Sequence, residues 1–387
     1  MEFWPIIKNE LRQIFIEDPR RVAFLFGAAL AYLIIFGLLY VPNIIKSMPI
    51  VIYDEDQSVL SRELIRGFED SDSFSVDGWA STQEEMQQQL REKQAYAAVQ
   101  IPQDFSKNIQ SGKSSSLLFM VNGSNIVLTN IGTSAAQDIA AAFSDRIAAR
   151  NAALRFNTDE SILAHRIAPV HCSLRVLSNA TQGYMIFFLL GLAVAAFQQG
   201  IIFSAGAAIQ YEYQHADRFP AHGMAKVVAI KFLIYWVLAM LSFFMVVFVV
   251  QQFFGILLKA KLSELMLLTG CYVFSVLAFC MLLAACFRNE RQFVRAAIVY
   301  PVPAFIFSGY TWPHEAMGPG MTALSQIFPK SWFSNAVREF FAAGSNPQMG
   351  QDICWLLGIG LVCLLLFLFV FPRGLRRHGW QQSTAER

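Results

Sequence analysis

Three places in this chain carry residue types that could do chemistry. The first is Gly112-Lys113-Ser114, which matches the end of a phosphate-binding loop. Such a loop needs another glycine five residues before its Gly-Lys pair, so that the backbone can wrap the phosphates. That position is Lys107. The triplet therefore reads as an ordinary turn, and the chain is not expected to bind or hydrolyse ATP by itself. The second place is His165, His171 and Cys172. No further ligand and no orienting partner stands at a recognisable spacing, so neither a metal centre nor a thiol nucleophile is assigned. The third is a set of polar residues in or beside apolar runs. Gln198 and Gln199 sit in the middle of one such run, and Tyr184 near its start. Unpaired amides at that depth are costly, so these residues bond another helix or face a water-lined path. Just after the run comes a short loop of mixed charge with Glu212, His215, Asp217, Arg218 and His222. It reads either as a solvated connector or as a docking element for a cytoplasmic partner. No pair of ionisable residues at depth suits an intramembrane enzyme, and no catalytic, cofactor or metal residue is assigned.

The elements that position these residues are mostly membrane helices. The chain is 55% hydrophobic and only 15% charged, against about 25% charged in a soluble domain. Crossing a hydrocarbon layer takes about 20 apolar residues. Spans are expected at 22–41, 181–209, 227–254, 265–287, 296–310 and 353–371. The fifth is short and contains Pro301 and Pro303. The basic residues show no stripe with interleaved aromatics that would suit nucleic acid; they cluster at span ends. Counted over the short loops, fourteen Lys and Arg lie on the side of both termini, and Lys259, Lys261, Lys330 and Arg338 on the other. That bias predicts cytoplasmic termini and an even number of spans. The first apolar run is read as a retained span. Before it, Phe3, Trp4, Ile7, Leu11, Ile14 and Phe15 recur at helical spacing, which predicts an amphipathic interfacial helix over 1–21. In the second span Ala196, Gly200, Ser204 and Ala208 form a small-residue stripe suited to close packing against another helix.

The charge is uneven: 16 of the 28 acidic residues fall in 43–180. This marks a soluble insert between the first two spans. Strands are expected at 48–54, 95–101 and 116–121, with helices carrying Leu60, Leu64 and Phe68, then Met86 and Leu90, and a long helix through Leu128 to Ile147. Ser81 with Glu84 reads as a capping box, and Asp104 as the cap of a short helix that Gly112 closes. The alternation predicts an α/β domain. After the fifth span, the Pro- and Gly-punctuated stretch at about 311–345 predicts a re-entrant hairpin at the outer surface. Residues 181–371 thus hold spans two to six, 22–42 the first span, and 372–387 a cytoplasmic tail.

Three stretches carry a family resemblance: Tyr53-Asp54-Glu55-Asp56-Gln57-Ser58; Ile101-Pro102-Gln103-Asp104-Phe105 followed by Asn122-Gly123-Ser124-Asn125; and Ser308-Gly309-Tyr310 with Pro313, Phe328-Pro329, Trp332-Phe333 and Arg338. In this order and on this topology, the chain resembles the type-2 ABC transporter permeases with a large extracytoplasmic domain after the first span. The resemblance implies a polytopic α-helical membrane protein of six spans in the bacterial inner membrane. It would act as a homodimeric or heterodimeric exporter permease for amphipathic or hydrophobic molecules such as drugs or lipid-linked compounds. It also implies cytoplasmic ABC ATPase subunits that use ATP and Mg, and a docking role for the loop Glu212 to His222. The family's usual Gly-Thr after the glutamate is absent here. Some relatives add a periplasmic adaptor and an outer-membrane channel. The competing reading is a membrane-anchored scaffold or receptor whose insert binds an envelope partner without transport.

Overall fold

The computed structural model describes residues 3–40, 46–124, 126–156, 185–216 and 224–378. The chain divides into two compact units, Ile44–Arg175 and a helical unit made of Met1–Asn43 with Val176–Arg387.

Among its described residues, the smaller unit holds a four-stranded sheet. β1 (Met48–Asp54) lies at its centre, parallel to β2 (Phe74–Trp79) and β3 (Ala97–Ile101), and β4 (Leu118–Val121) runs antiparallel to β3. Alternate residues of a strand face opposite sides, so a central strand covered on both faces is apolar throughout. Ile50 and Ile52 join Val99, Leu64, Phe68 and Phe143 on one face. Val51, Ala98 and Met86 pack on the other. β2 was not expected from the sequence. It carries Asp77 and Gly78, both poor strand formers, and lies at a sheet edge beside β1. The acidic stretch after β1 organises the turn. Asp54 accepts hydrogen bonds from Asp56 N, Gln57 N and Ser61 Oγ. Ser58 and Ser61 cap the helix Val59–Glu69 reciprocally. Two expected caps shift. The helix Gln83–Arg91 is capped by Thr82, with Glu85 reaching back to Ser81 N, because it begins at Gln83. Asp104 makes no side-chain cap; Asp56 instead accepts from Ser106 N at 3.2 Å.

Among the described residues of the helical unit, five helices are long and apolar enough to cross a membrane: Arg20–Tyr40, Phe187–Gln214, Met224–Phe254, Leu262–Cys286 and Met349–Arg377. They are called here the first, second, third, fourth and last spans. The expected span at 296–310 is a broken helix, Glu290–Val299 followed by Pro301–Ile306. Its 17 residues reach about 25 Å at 1.5 Å each, short of a full crossing, and its first half carries Glu290, Arg291 and Arg295. Pro301 and Pro303 cannot donate backbone hydrogen bonds, so the ladder is interrupted there. The second and fourth spans are the most enclosed; the first and last keep long apolar faces open. The first span opens with a π-helical turn at Ala23–Gly27, where the Leu25 carbonyl accepts from Ser242 Oγ of the third span at 2.7 Å. Between the broken helix and the last span the chain forms two short helices, Pro319–Ser325 and Ser334–Ala342, each preceded by a single 3-10 turn.

The N-terminal helix Phe3–Arg12 continues through a π-helical turn at Gln13–Glu17. Glu10, Gln13 and Ile14 are buried, whereas Trp4, Phe15 and Ile16 are exposed. Lys8, Asn9 and Arg12 are exposed as well, and Ile6, Ile7 and Leu11 are half-buried, so the packed side mixes polar and apolar residues.

Candidate functional site

Two clusters stand at opposite ends of the second span, roughly 40 Å apart at 1.5 Å per residue. Its C-terminal end carries the charged cluster. Glu212 points inward, and its Oε1 lies 3.0 Å from Lys231 Nζ of the third span. The same ammonium sits 2.5 Å from Glu10 Oε2 of the N-terminal helix. All three residues are more than nine-tenths buried. Arg21, equally buried, donates to Asp18 at 3.2 Å and to Tyr235 OH at 3.4 Å, and stacks over the Tyr211 ring at 5.2 Å. Burial alone would raise the Asp18 carboxyl, but the hydrogen bonds and charges of Arg20 and Arg21 outweigh it and hold the group below the usual carboxylate range. A cleft of about 170 Å³ opens beside this cluster, lined by Gln13, Glu17, Asp18, Arg20, Tyr211 and Glu290. His215 stacks on Tyr211 with centroids 4.2 Å apart, and its Nδ1 lies 3.0 Å from Tyr211 O. Of the expected docking loop, then, Glu212 is an internal anchor and His215 lies against its own helix. Asp217, Arg218 and His222 lie outside the described residues, as do Tyr184, His165, His171 and Cys172.

In mid-span the two glutamines bond the broken helix. Gln198 Nε2 donates to Tyr300 OH at 3.0 Å and Gln199 Nε2 to Ala297 O at 2.9 Å. The Gln199 Oε1 atom is buried without a hydrogen-bond partner among the described residues. The small-residue stripe is packed within this chain: Ala196, Gly200, Ser204 and Ala208 are all buried. At Gly200 the second span touches the backbone of the first, where an added Cβ would stand 2.5 Å from Phe24 O.

At the N-terminal end of the second span lies a cavity of about 600 Å³. Its walls include Phe187, Tyr310, His314, Trp332, Arg338 and Asp352. The Arg338 guanidinium lies over the rings of Phe187 and Tyr310, at 5.1 and 4.9 Å. Tyr310 OH donates to Phe187 O and accepts from Gly191 N at 3.0 Å. Trp332 stacks on Trp355 of the last span, at 5.0 Å and 9°. Nearby, Lys330 is fully buried; its ammonium lies 4.2 Å above the Phe305 ring and has no hydrogen-bond partner among the described residues. Burial pushes this group well below the usual lysine range.

Sequence reasoning missed Glu10, Lys231 and Tyr235 as partners of Glu212. One signal was available: Lys231 falls inside an expected apolar span, and a cation there needs a partner. Asp352 and the Arg338 aromatic stack had no comparable signal.

Comparison with known proteins fits this architecture. The probable multidrug ABC transporter permease YbhR of Escherichia coli K12 is 22% identical over 358 residues, covering 91% of this chain and 93% of that protein. The protein of the same name from strain O157:H7 matches equally. The profile of the ABC-2 family transporter proteins matches residues 22–369. A multi-pass helical unit with a small α/β unit between its first two spans, matched over nearly its whole length, makes this chain a member of the ABC-2 transporter family.

Proposed function

We propose that this chain is the transmembrane subunit of an ATP-driven exporter that moves amphipathic or hydrophobic molecules out of the cytoplasm or the inner membrane. The observation that carries this reading is the family match over residues 22–369. A full-length relative named as a multidrug permease supports the substrate class. Members of the family are transport subunits that work with ATPase partners, so ATP and Mg belong to the partner and not to this chain.

In this reading the ATPase docks on the charged end, around the loop from Glu212 to His222 and the adjoining cleft with Gln13, Glu17 and Glu290. Both termini and the charged end then face the cytoplasm, and the broken helix completes a sixth passage with the following hairpin at the outer face. The charge bias of the short loops supports this orientation. Two permease subunits, identical or homologous, enclose the path, which runs along the face of the second span with Tyr184, Gln198 and Gln199. The cavity beneath Arg338 gives that path an exit toward an adaptor and an outer-membrane channel.

A tagged chain purified from its native membrane is expected to bring down a P-loop ATPase. Inverted vesicles holding the complex are expected to take up amphipathic dyes only when ATP is supplied. Isolation of a complete, active complex without an ATPase would overturn the reading. Unchanged dye uptake in Gln198→Ala, Gln199→Ala and Tyr184→Ala variants would remove those residues from the path.

A further inference from the structure

The buried charges at the end of the second span call for a physical reason. Lys231 is 2% exposed, Glu10 5% and Glu212 8%. Their contacts, 2.5 Å from Lys231 Nζ to Glu10 Oε2 and 3.0 Å to Glu212 Oε1, join three segments distant in sequence: the N-terminal helix, the second span and the third span. One helical turn beyond Lys231, Tyr235 takes the Arg21 hydrogen bond and brings in the start of the first span. A buried ion cluster is a poor way to gain stability, because well-packed apolar residues of similar volume serve equally well or better. It also leaves acceptors over: Glu10 Oε1 and Gln13 Oε1 are buried without hydrogen-bond partners among the described residues.

What the ions supply that an apolar contact does not is registration. An apolar contact can be remade in more than one register, because its attraction is non-directional. Here a shift in register would leave a buried ammonium or carboxylate unpaired, which is strongly destabilising. Lys231 therefore admits one arrangement of the three helices. Two of them are the feet of the loop between the second and third spans: Glu212 lies near the end of Phe187–Gln214, and Lys231 lies two turns into Met224–Phe254.

We infer that Glu10, Lys231 and Glu212 form a transmission clamp. They are positioning residues that oblige the N-terminal helix, and through Arg21 the first span, to move as one body with the feet of the loop. This rests on the reading that the ATPase docks on that loop. The N-terminal helix is then a moving part of the drive.

The test uses the full chain with its co-purified ATPase, and probes of ATP alone and of ATP with vanadate. Spin labels replace the exposed residues Asn9, Ala225 and Leu361 in pairs. In the wild type, trapping with vanadate is expected to change the 9–361 distance and leave the 9–225 distance unchanged. The triple variant Glu10→Met, Lys231→Met, Glu212→Met keeps the packing volume, so it is expected to fold with a melting temperature near that of the wild type. Its 9–225 distance is expected to shift or at least double in spread on trapping. Transport per ATP is expected to fall at least tenfold while the ATPase stays bound. A 9–225 distance that changes in the wild type, or stays fixed in the triple variant with transport per ATP intact, overturns the clamp. Should the triple variant fail to fold, Glu10→Gln keeps an acceptor for Lys231, removes one charge, and is judged by the same distances. Absence of any ATPase in the wild-type preparation counts instead against the exporter reading.

Discussion

Replacing Gly200 by alanine tests whether the small-residue stripe is an internal joint. The added methyl would stand 2.5 Å from Phe24 O, 3.3 Å from Phe24 C and 3.4 Å from Leu25 Cα. All three are backbone atoms, so no side chain can swing aside. Ordinary contact lies near 3.5 Å, and the two helices must separate locally by about 1 Å. Overpacking of this kind costs about 1–3 kcal/mol. Alanine recovers part of that, since it favours a helix over glycine by about 0.8–1 kcal/mol. The net expectation is a loss of about 0–2 kcal/mol, and of about 1–3 kcal/mol relative to an alanine that meets no neighbour. The internal control is Gly358→Ala in the last span, where nothing lies within 4 Å of the new methyl. There only the helix-propensity gain remains, and the variant should be equal to or slightly more stable than the parent. Thermal unfolding of the detergent-solubilised chain, followed by size-exclusion recovery, reads both. A Gly200→Ala protein as stable as Gly358→Ala would refute the reasoning. So would a Gly200→Ala protein of unchanged melting temperature that loses only its subunit association, since the stripe would then be an interface between chains.

Lys330→Met should stabilise the protein. The Phe305 ring favours the charged amine by no more than about 2 kcal/mol, less than the cost of burying an unpaired ammonium. Because the folded-state pKa lies well below 10.5, the unfolded chain binds the extra proton, and the wild-type penalty grows as pH falls below the ordinary lysine value. The gain from Lys330→Met should accordingly be larger at pH 7 than at pH 10, and equal gains at both would refute the assignment. Asp18 behaves in the opposite sense. Its lowered pKa contributes stability that is present above the ordinary value of 3.8 and lost as pH falls through the folded value. Asp18→Asn should therefore cost stability at pH 7, and the cost should shrink progressively as pH falls below 3.8, as read from melting curves across that range. In the smaller unit, Asp54→Ala removes the acceptor of three hydrogen bonds. A loss of about 2–3 kcal/mol is expected, visible as faster hydrogen exchange across 54–61; unchanged protection there would contradict it.

The sequence resolves this fold where a single segment carries its own signal. Long apolar runs mark five spans, and β1, apolar from Met48 to Ile52, announces a strand covered on both faces. Signals that cancel locally are lost. β2 is hidden because Asp77 and Gly78 interrupt its pattern, whereas the broken helix was legible as a short run interrupted by Pro301 and Pro303, though not its charged first half from Glu290. The N-terminal helix is a subtler case. Its apolar stripe is real and Ile14 is buried, yet the structure also buries Gln13 and Glu10, the latter against Lys231. Glu10 and Lys231 are 221 residues apart, and no periodicity links them. The glutamines were legible as residues in need of partners, but which helix supplies Tyr300 and the Ala297 carbonyl was not.

The π-helical turn at Ala23–Gly27 has a consequence for sequence change. Such a turn holds one residue more than an α-helical turn while its flanks keep their direction. Deleting a single residue from this stretch would shorten the turn to ordinary α-helix and leave Arg21 on one side, and Ala29 and Leu33 on the other, facing as they do now. A deletion a few residues further on, past Ala29, would rotate everything beyond it by about 100°. The first span thus contains one short window in which the reading frame of the helix tolerates a missing residue, and related proteins are expected to differ in length there before they differ anywhere else in that helix.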